Sequence, residues 1–339
     1  NLPAMVVNAR HMKAVPGRKT DVKDAEWIAE LLQHGLLQPS YIPSKDQREL
    51  RELVQYRKSL VGERTRELNR LQKMLEGANI KLSGTVTNIN GKSARKILEY
   101  ILSGNEIDEK KYDEMYEEKL IAHNLKASKE QILDDLKGFM SPLQRRMLKE
   151  LLQHLDELNV HIENLNDEID NFMKPEEKQA SQVIQDVTGI GNTSAQTIIA
   201  VIGTDMERFP SDRHISSWAG LCPGDNVSAK KRKSGKIRKG NALLKSTLVL
   251  CAHAAVRHKS SYFHAQFKRI STHRGKKRAY VAVAHSILIA IYHILKDGVK
   301  YQDLGAEYYN QFNAERKIHA YLKKLKALGW EPPKEAVPA

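Results

Sequence analysis

Apolar residues return at helical intervals through most of this chain. Ser44-Lys45-Asp46-Gln47 has the form of a capping box, in which a serine and a glutamine three residues on satisfy free amides at a helix start. Beyond it Val54, Val61, Leu68 and Leu75 repeat every seven residues, flanked by Leu53, Leu60, Leu71 and Met74. After Pro142, Leu148, Leu151, Leu155, Leu158, Ile162, Leu165, Ile169 and Phe172 follow one another at alternating intervals of three and four. That spacing keeps one apolar seam on a long helix. The two segments predict an antiparallel coiled-coil arm joined through a mixed middle at about 85–140. Spacing alone leaves open whether the seam closes within the chain or between copies. In the middle, EIDEKKYDEMYEEK predicts a solvated helix face.

Both flanks differ from the arm. Residues 4–9, AMVVNA, predict a short buried strand. From Thr20-Asp21-Val22-Lys23-Asp24 a helix is expected, with Trp27, Ile28, Leu31 and Leu32 on its apolar side and Gly35 and Pro39 ending it. A strand feeding a helix suggests the tail of an α/β domain. From about residue 180, glycines at 189, 191, 203, 220, 224, 235 and 240 punctuate a basic, mostly helical domain. Its apolar helices fall around Leu243–Val256 and Ala279–Leu295, and the tail ending WEPPKEAVPA is expected to fray.

Composition narrows the function. In 339 residues there are 55 Lys and Arg against 41 Asp and Glu, a formal net charge of +14, with 41% hydrophobic residues. Global disorder is excluded. Cys222 and Cys251 make neither a disulfide framework nor a CxxC zinc site, which favours a reduced, cytoplasmic compartment. No apolar run reaches the roughly 18 residues of a membrane span, so no membrane partner is expected.

Three segments are candidates for chemistry. Asp21 and Asp24, at i and i+3, share the face of a first helical turn and are placed to meet a divalent cation such as Mg2+. Equally, Asp21 caps the helix and Asp24 answers its positive end. Gly189-Ile190-Gly191 before SAQTIIAVIG has the shape of a helix-hairpin-helix turn, whose free amides suit a phosphate, or of an ordinary glycine turn. Lys230, Lys231, Arg232, Lys233, Lys236, Arg238 and Lys239 put seven cations in the thirteen residues 228–240. A second run holds Lys268, Arg269, Arg274, Lys276, Lys277 and Arg278. Such density displaces counterions from a polyanion of any sequence, so nucleic acid is the expected partner. Ser228 and Ser234 lie within the first run, where the cations would provide the positive field a hydroxyl nucleophile needs. The histidines at 253, 258, 264, 273 and 285 have no metal-ligand spacing.

Together these segments resemble insertion-sequence transposases of the IS-one-ten type, a family that includes bridge-RNA-guided DNA recombinases. TDVKDAEWIAELLQHGLLQPSYIP is similar to the end of that family's RuvC-like DEDD domain. VTGIGNTSAQTIIAVIG and RFPSDRHISSWAGLCPGDNVSAKKRKSGKIRKGNALLKSTLV resemble the start and middle of its C-terminal transposase domain. The resemblance implies that Asp21 and Asp24 are the last two of four Mg2+-binding carboxylates. It also implies that Ser228 attacks a DNA phosphodiester and holds the strand as a phosphoserine, with a structured guide RNA as partner. Ala229 stands where the family more usually has glycine, and Ser234 is the fallback nucleophile.

The expected fold is mainly α. A remnant of a RuvC-like (RNase H-like) α/β domain at 1–43 is followed by a coiled-coil arm with a helical insert at 44–178. A mostly helical transposase domain with a helix-hairpin-helix-like element then spans 179–310, and a helical or frayed tail 311–339. Homo-oligomerisation through the coiled coil is expected. Residues 1–20 hold no Asp or Glu, so the expectation is an N-terminally shortened chain, inactive alone. The alternatives are a non-catalytic DNA- or RNA-binding protein and a RuvC-like junction nuclease.

Overall fold

Helices dominate the architecture, as the apolar spacing dictates. The computed structural model describes residues 5–7, 21–37, 40–86, 88–105, 107–121, 127–223, 226–228, 231–234, 237, 239–308 and 314–330, with backbone alone at 21–24, 226–228, 231–234 and 315–317. The chain falls into two units, Asn1–Glu49 and Leu50–Ala339.

In the first unit, helix α1 (Asp21–Gln33) starts at the expected acidic turn. Its end follows from Gly35, whose φ of +66° allows the Gly35 N–H to reach Leu32 O and the Leu36 N–H to reach Leu31 O. Leu31 is buried, whereas Leu32 is exposed, contrary to the expected apolar side. Met5 and Val6 are half-exposed rather than the core of a strand: the Ser40 N–H donates to Val6 O, and among the described residues no strand ladder covers them. The remainder of 4–9 lies outside the described residues.

Two long helices form the arm. Helix α2 (Lys45–Gly77) begins where Ser44 Oγ accepts the Gln47 N–H at 3.2 Å, and α7 (Pro142–Phe172) begins at a full capping box of Ser141 and Gln144. Arg57 donates to Asn166 Oδ1 at 3.1 Å and Arg64 to Asn159 Oδ1 at 3.2 Å. Seven residues forward on α2 correspond to seven residues back on α7, so the two lie side by side and antiparallel. The apolar seam is buried within the chain along Leu148, Leu155, Leu158, Ile162, Leu165 and Ile169.

Three seam positions differ from expectation. Val61 is exposed, and Leu151 and Phe172 give way to Leu152 and Met173. A straight α-helix turns past a strict seven-residue repeat, which brings Met173 inward at the end of α7 in place of Phe172. Arg57 and Glu67 also sit in the buried stripe of α2, which the apolar pattern did not disclose.

The middle segment has its own core. Helices α3 (Leu82–Thr85), α4 (Lys92–Leu102), α5 (Glu109–Glu117) and α6 (Lys129–Asp135) bury Ile97, Leu98, Tyr112, Met115 and Ile132 with Leu71, Leu75 and Leu155 of the arm. The expected solvated face is therefore only part of α5, since Tyr112 and Met115 point inward.

The C-terminal half is assembled around two apolar helices. In α9 (Asn192–Ile202) every residue from Ala195 to Ile202 is buried, the polar Gln196 and Thr197 along with the apolar residues. Helix α8 (Pro175–Ile184) packs on α9 through the glycine hairpin between them. Helix α13 (Lys276–Asp297) has the length and apolarity of a membrane span, yet Val283, Ala284, Ile287, Leu288 and Ile291 lie in the protein core. Around it pack α10 (Asp212–Trp218), α11 (Ala242–Ala255) and α12 (Tyr262–Arg274); α14 (Ala314–Ala327) follows.

Candidate nucleic-acid interface

Between α10 and α11 the chain leaves the helical core as a β-hairpin. Strands β1 (Asn226–Ser228) and β2 (Lys231–Ser234) pair antiparallel, with Asn226 opposite Ser234, Val227 opposite Arg232 and Ser228 opposite Lys231. Ser228 thus closes the ladder at the turn, and a register shift falls between Asn226 and Val227. A further bridge joins Pro223 to Ile237. The hairpin was not foreseen in a domain expected to be mostly helical. NVSAKKRKS alternates too briefly to announce it.

Its base is clamped by glycines. A Cβ on Gly240 would lie 2.4 Å from the Ala219 carbonyl carbon and the Gly220 nitrogen, so the outgoing strand presses on the point where the chain left α10. Gly220 itself has a φ of +73°. Beyond the clamp, Asn241 Oδ1 accepts the Leu244 N–H at 2.9 Å and starts α11. The helical core therefore fixes where the hairpin leaves it.

The predicted residues distribute as follows. Ser228, Lys231, Arg232, Lys233 and Ser234 are on the hairpin strands, and Lys239 is exposed at its base. Lys230, Lys236 and Arg238 lie outside the described residues. Asp21 and Asp24 form the first turn of α1 in the other unit. The second basic run is exposed where Gly275, φ +82°, links α12 to α13, with Lys268, Arg274, Lys276, Lys277 and Arg278 on the surface.

At the GIG hairpin the two glycines have different surroundings. Gly189, φ +94°, faces α11, where a Cβ would stand 2.5 Å from Cys251 O and 2.6 Å from the Ala255 nitrogen. Its lack of a side chain is explained by close packing. Gly191 has open space around it and leads into the exposed start of α9. Thr188 Oγ1 donates to Asp303 Oδ2 at 3.3 Å, and that carboxylate also accepts the Tyr301 hydroxyl at 3.2 Å and, at 2.8 Å each, the Tyr262 and Gly305 N–H groups. Burial pushes the Tyr301 hydroxyl well above its ordinary range and keeps it a donor. Asp303 carries no sequence signal that marks it as this clasp.

The arm reaches the same region through Arg57. Its guanidinium donates to Gln196 Oε1 at 2.5 Å and Thr193 O at 2.9 Å, beside its bond to Asn166. Gln196 in turn donates to Asp170 at 2.6 Å. Burial lowers the Arg57 pKa to about 10, with nearby Asp170 opposing the shift, and the group stays charged.

Other chemistries find little support. Burial pushes the Cys251 thiol up, away from a nucleophilic thiolate. His264 bonds Val256 O at 2.7 Å and His253 stacks on Tyr280. Among the described residues no three His, Cys, Asp or Glu side chains gather as a metal site. Two carboxylates on one helical turn do not make the four-carboxylate Mg2+ site that the family resemblance implies, so no step is routed through the metal.

Comparison with known proteins follows the same geography. The model of the "Transposase IS116/IS110/IS902 family" matches residues 181–268, from α8 through the hairpin into α12. The IS110-type DEDD transposase model matches residues 1–80. A transposase for insertion sequence element IS1111A from Coxiella burnetii is 24% identical over 289 residues, covering 84% of this chain and 69% of the relative. An insertion element IS110 protein of 43.6 kDa from Streptomyces coelicolor is 27% identical over 135 residues, 38% of this chain and 31% of the relative. With both family models matching in order, at residues 1–80 and 181–268, the chain belongs to the IS110-type insertion-sequence transposases.

Proposed function

We propose that this DNA transposase cuts and exchanges strands by phosphoryl transfer, with Ser228 as nucleophile. One observation carries the reading. The serine closes the ladder of a hairpin rich in lysine and arginine, clamped at its base by Gly240 and lying inside the segment matched to the transposase family. In the proposed step Ser228 Oγ attacks phosphorus, the Oγ–P bond forms and the bond to one bridging oxygen breaks. That oxygen leaves with its electron pair, and the hydroxyl proton passes to solvent. The flanking cations offset the charge that grows on the phosphate oxygens. A second strand's hydroxyl then displaces the serine, which conserves the bond for exchange.

The remaining parts of the proposal rest on the family. Residues 1–43 are read as part of a RuvC-like domain, with Asp21 and Asp24 as two of its Mg2+ ligands. Helices α2 and α7 are read as a coiled-coil arm, and α8–hairpin–α9 as a helix-hairpin-helix-like element contacting phosphate through Gly191. A structured guide RNA, a homo-oligomer and a cytoplasmic location complete the reading.

The test uses duplexes of the insertion-sequence end carrying a bridging phosphorothiolate on the 3′ or 5′ side. A thiolate leaves without help from acid or metal, so the experiment isolates the nucleophile. Wild-type chain and Ser234→Ala are expected to give a DNA–protein adduct on denaturing gels. Ser228→Ala is expected to give none while retarding the same DNA equally in native gels. Retardation without any adduct would make the chain a binding protein, and cutting that survives Ser228→Ala would make it a metal-dependent nuclease.

A further inference from the structure

A groove of about 590 Å3 runs along α2 beside the end of α9 and the start of α11. Arg51, Lys58, Arg66 and Asn241 line it, and among the described residues no carboxylate does. Two of the cations are tied to the groove's own walls. The Arg51 guanidinium donates to Ala200 O and Val201 O at 3.0 and 2.6 Å, and Lys58 donates to Ser246 Oγ at 2.6 Å. Arg66 lies 3.7 Å from Glu63 on the exposed surface.

The spacing decides what such a groove can hold. The three cations are seven and eight residues apart, which at 1.5 Å per residue is roughly 10 and 12 Å along one face of α2. A single small phosphate cannot meet groups so far apart, whereas a chain of phosphates meets them in turn. Asn241 of its lining comes two residues after exposed Lys239 and directly beyond the Gly240 clamp. Cations distant in sequence thus stand beside the segment that leads from the hairpin into α11.

We propose that this groove carries the backbone phosphates of a nucleic-acid strand passing from the cation-rich hairpin onto the arm, independently of base sequence. The inference rests on the DNA-transposase reading for its class of partner. It adds Lys58 and Arg66 of α2 as contact residues.

The test measures binding of the full chain to a short labelled duplex DNA and to a short single-stranded RNA by fluorescence anisotropy across a salt series. Lys58→Gln/Arg66→Gln is compared with wild type and with Lys92→Gln/Lys110→Gln, which removes the same charge elsewhere. Each lost phosphate contact lowers the slope of log affinity against log salt by about 0.9 on duplex and about 0.7 on single strands. The groove variant is therefore expected to lose about 1.8 on DNA if the strand is duplex, or about 1.4 on RNA if it is single-stranded. The control variant keeps the wild-type slope. Arg66→Gln alone, at an exposed position, serves if the double variant melts early by circular dichroism, and is expected to lose about 0.9 or about 0.7. Slopes equal to the control on both probes would overturn the groove while leaving the enzyme reading intact. Failure of wild type to bind either probe would instead strike the transposase reading itself.

Discussion

Arg57 of α2 donates to the main-chain oxygen of Thr193 at 2.9 Å, fastening the arm to the first turn of α9. With Gln196 and Asn166 sharing the same guanidinium, one buried charge links three helices. Truncating it leaves buried acceptors without donors, a loss larger than the net worth of the bonds themselves. Arg57→Ala is expected to cost about 3 kcal/mol in urea unfolding. Arg57→Lys should recover only part of this, since a point charge cannot fork to several acceptors. A loss below about 0.5 kcal/mol for Arg57→Ala would show that the network does not hold the arm.

The glycines of the hairpin between α8 and α9 separate packing from exposure. Gly189→Ala places a methyl group against Cys251 O and Ala255 at a φ of +94°, so a loss of about 2–4 kcal/mol is expected. Gly191→Ala meets nothing within 4 Å and should cost under about 1 kcal/mol, the difference between glycine and alanine at a helix cap. Thermal melts of the two variants decide it. Similar melting temperatures would contradict the packing described for Gly189.

His285 of α13 gives the fold a pH dependence. Burial holds its pKa below the ordinary value, with Asp212 pulling weakly the other way. The unfolded imidazole takes up a proton near pH 6.5, whereas the folded one does so only at lower pH. Stability is therefore complete above about 6.5 and is lost as pH falls from there through the folded value. Wild type minus His285→Gln should show this loss in stability curves. A difference that shrinks with rising pH would reverse the sign and contradict the burial.

The legible features of the sequence are those set by spacing or caps. Ser44, Ser141 and Gly35 act where the helix ends were expected, and the seam of α7 lies where its leucines placed it. A seven-residue repeat does not reveal how far a straight helix drifts, which is why Phe172 was expected where Met173 is buried. Polar residues inside a seam leave no apolar trace, so Arg57 went unseen. The hairpin bearing Ser228 was hidden because its strands are three and four residues long and densely charged. Arg51, Lys58 and Arg66 read as ordinary surface cations until folding brings Asn241 beside them.

We propose that a cationic hairpin delivers a serine to a DNA phosphate. Tandem mass spectrometry of the adduct formed with the bridging phosphorothiolate duplex addresses it most directly. The predicted result is a single phosphonucleotide-modified peptide with the bond at Ser228. DNA that is bound without modification, or a bond at any other residue, would contradict the claim.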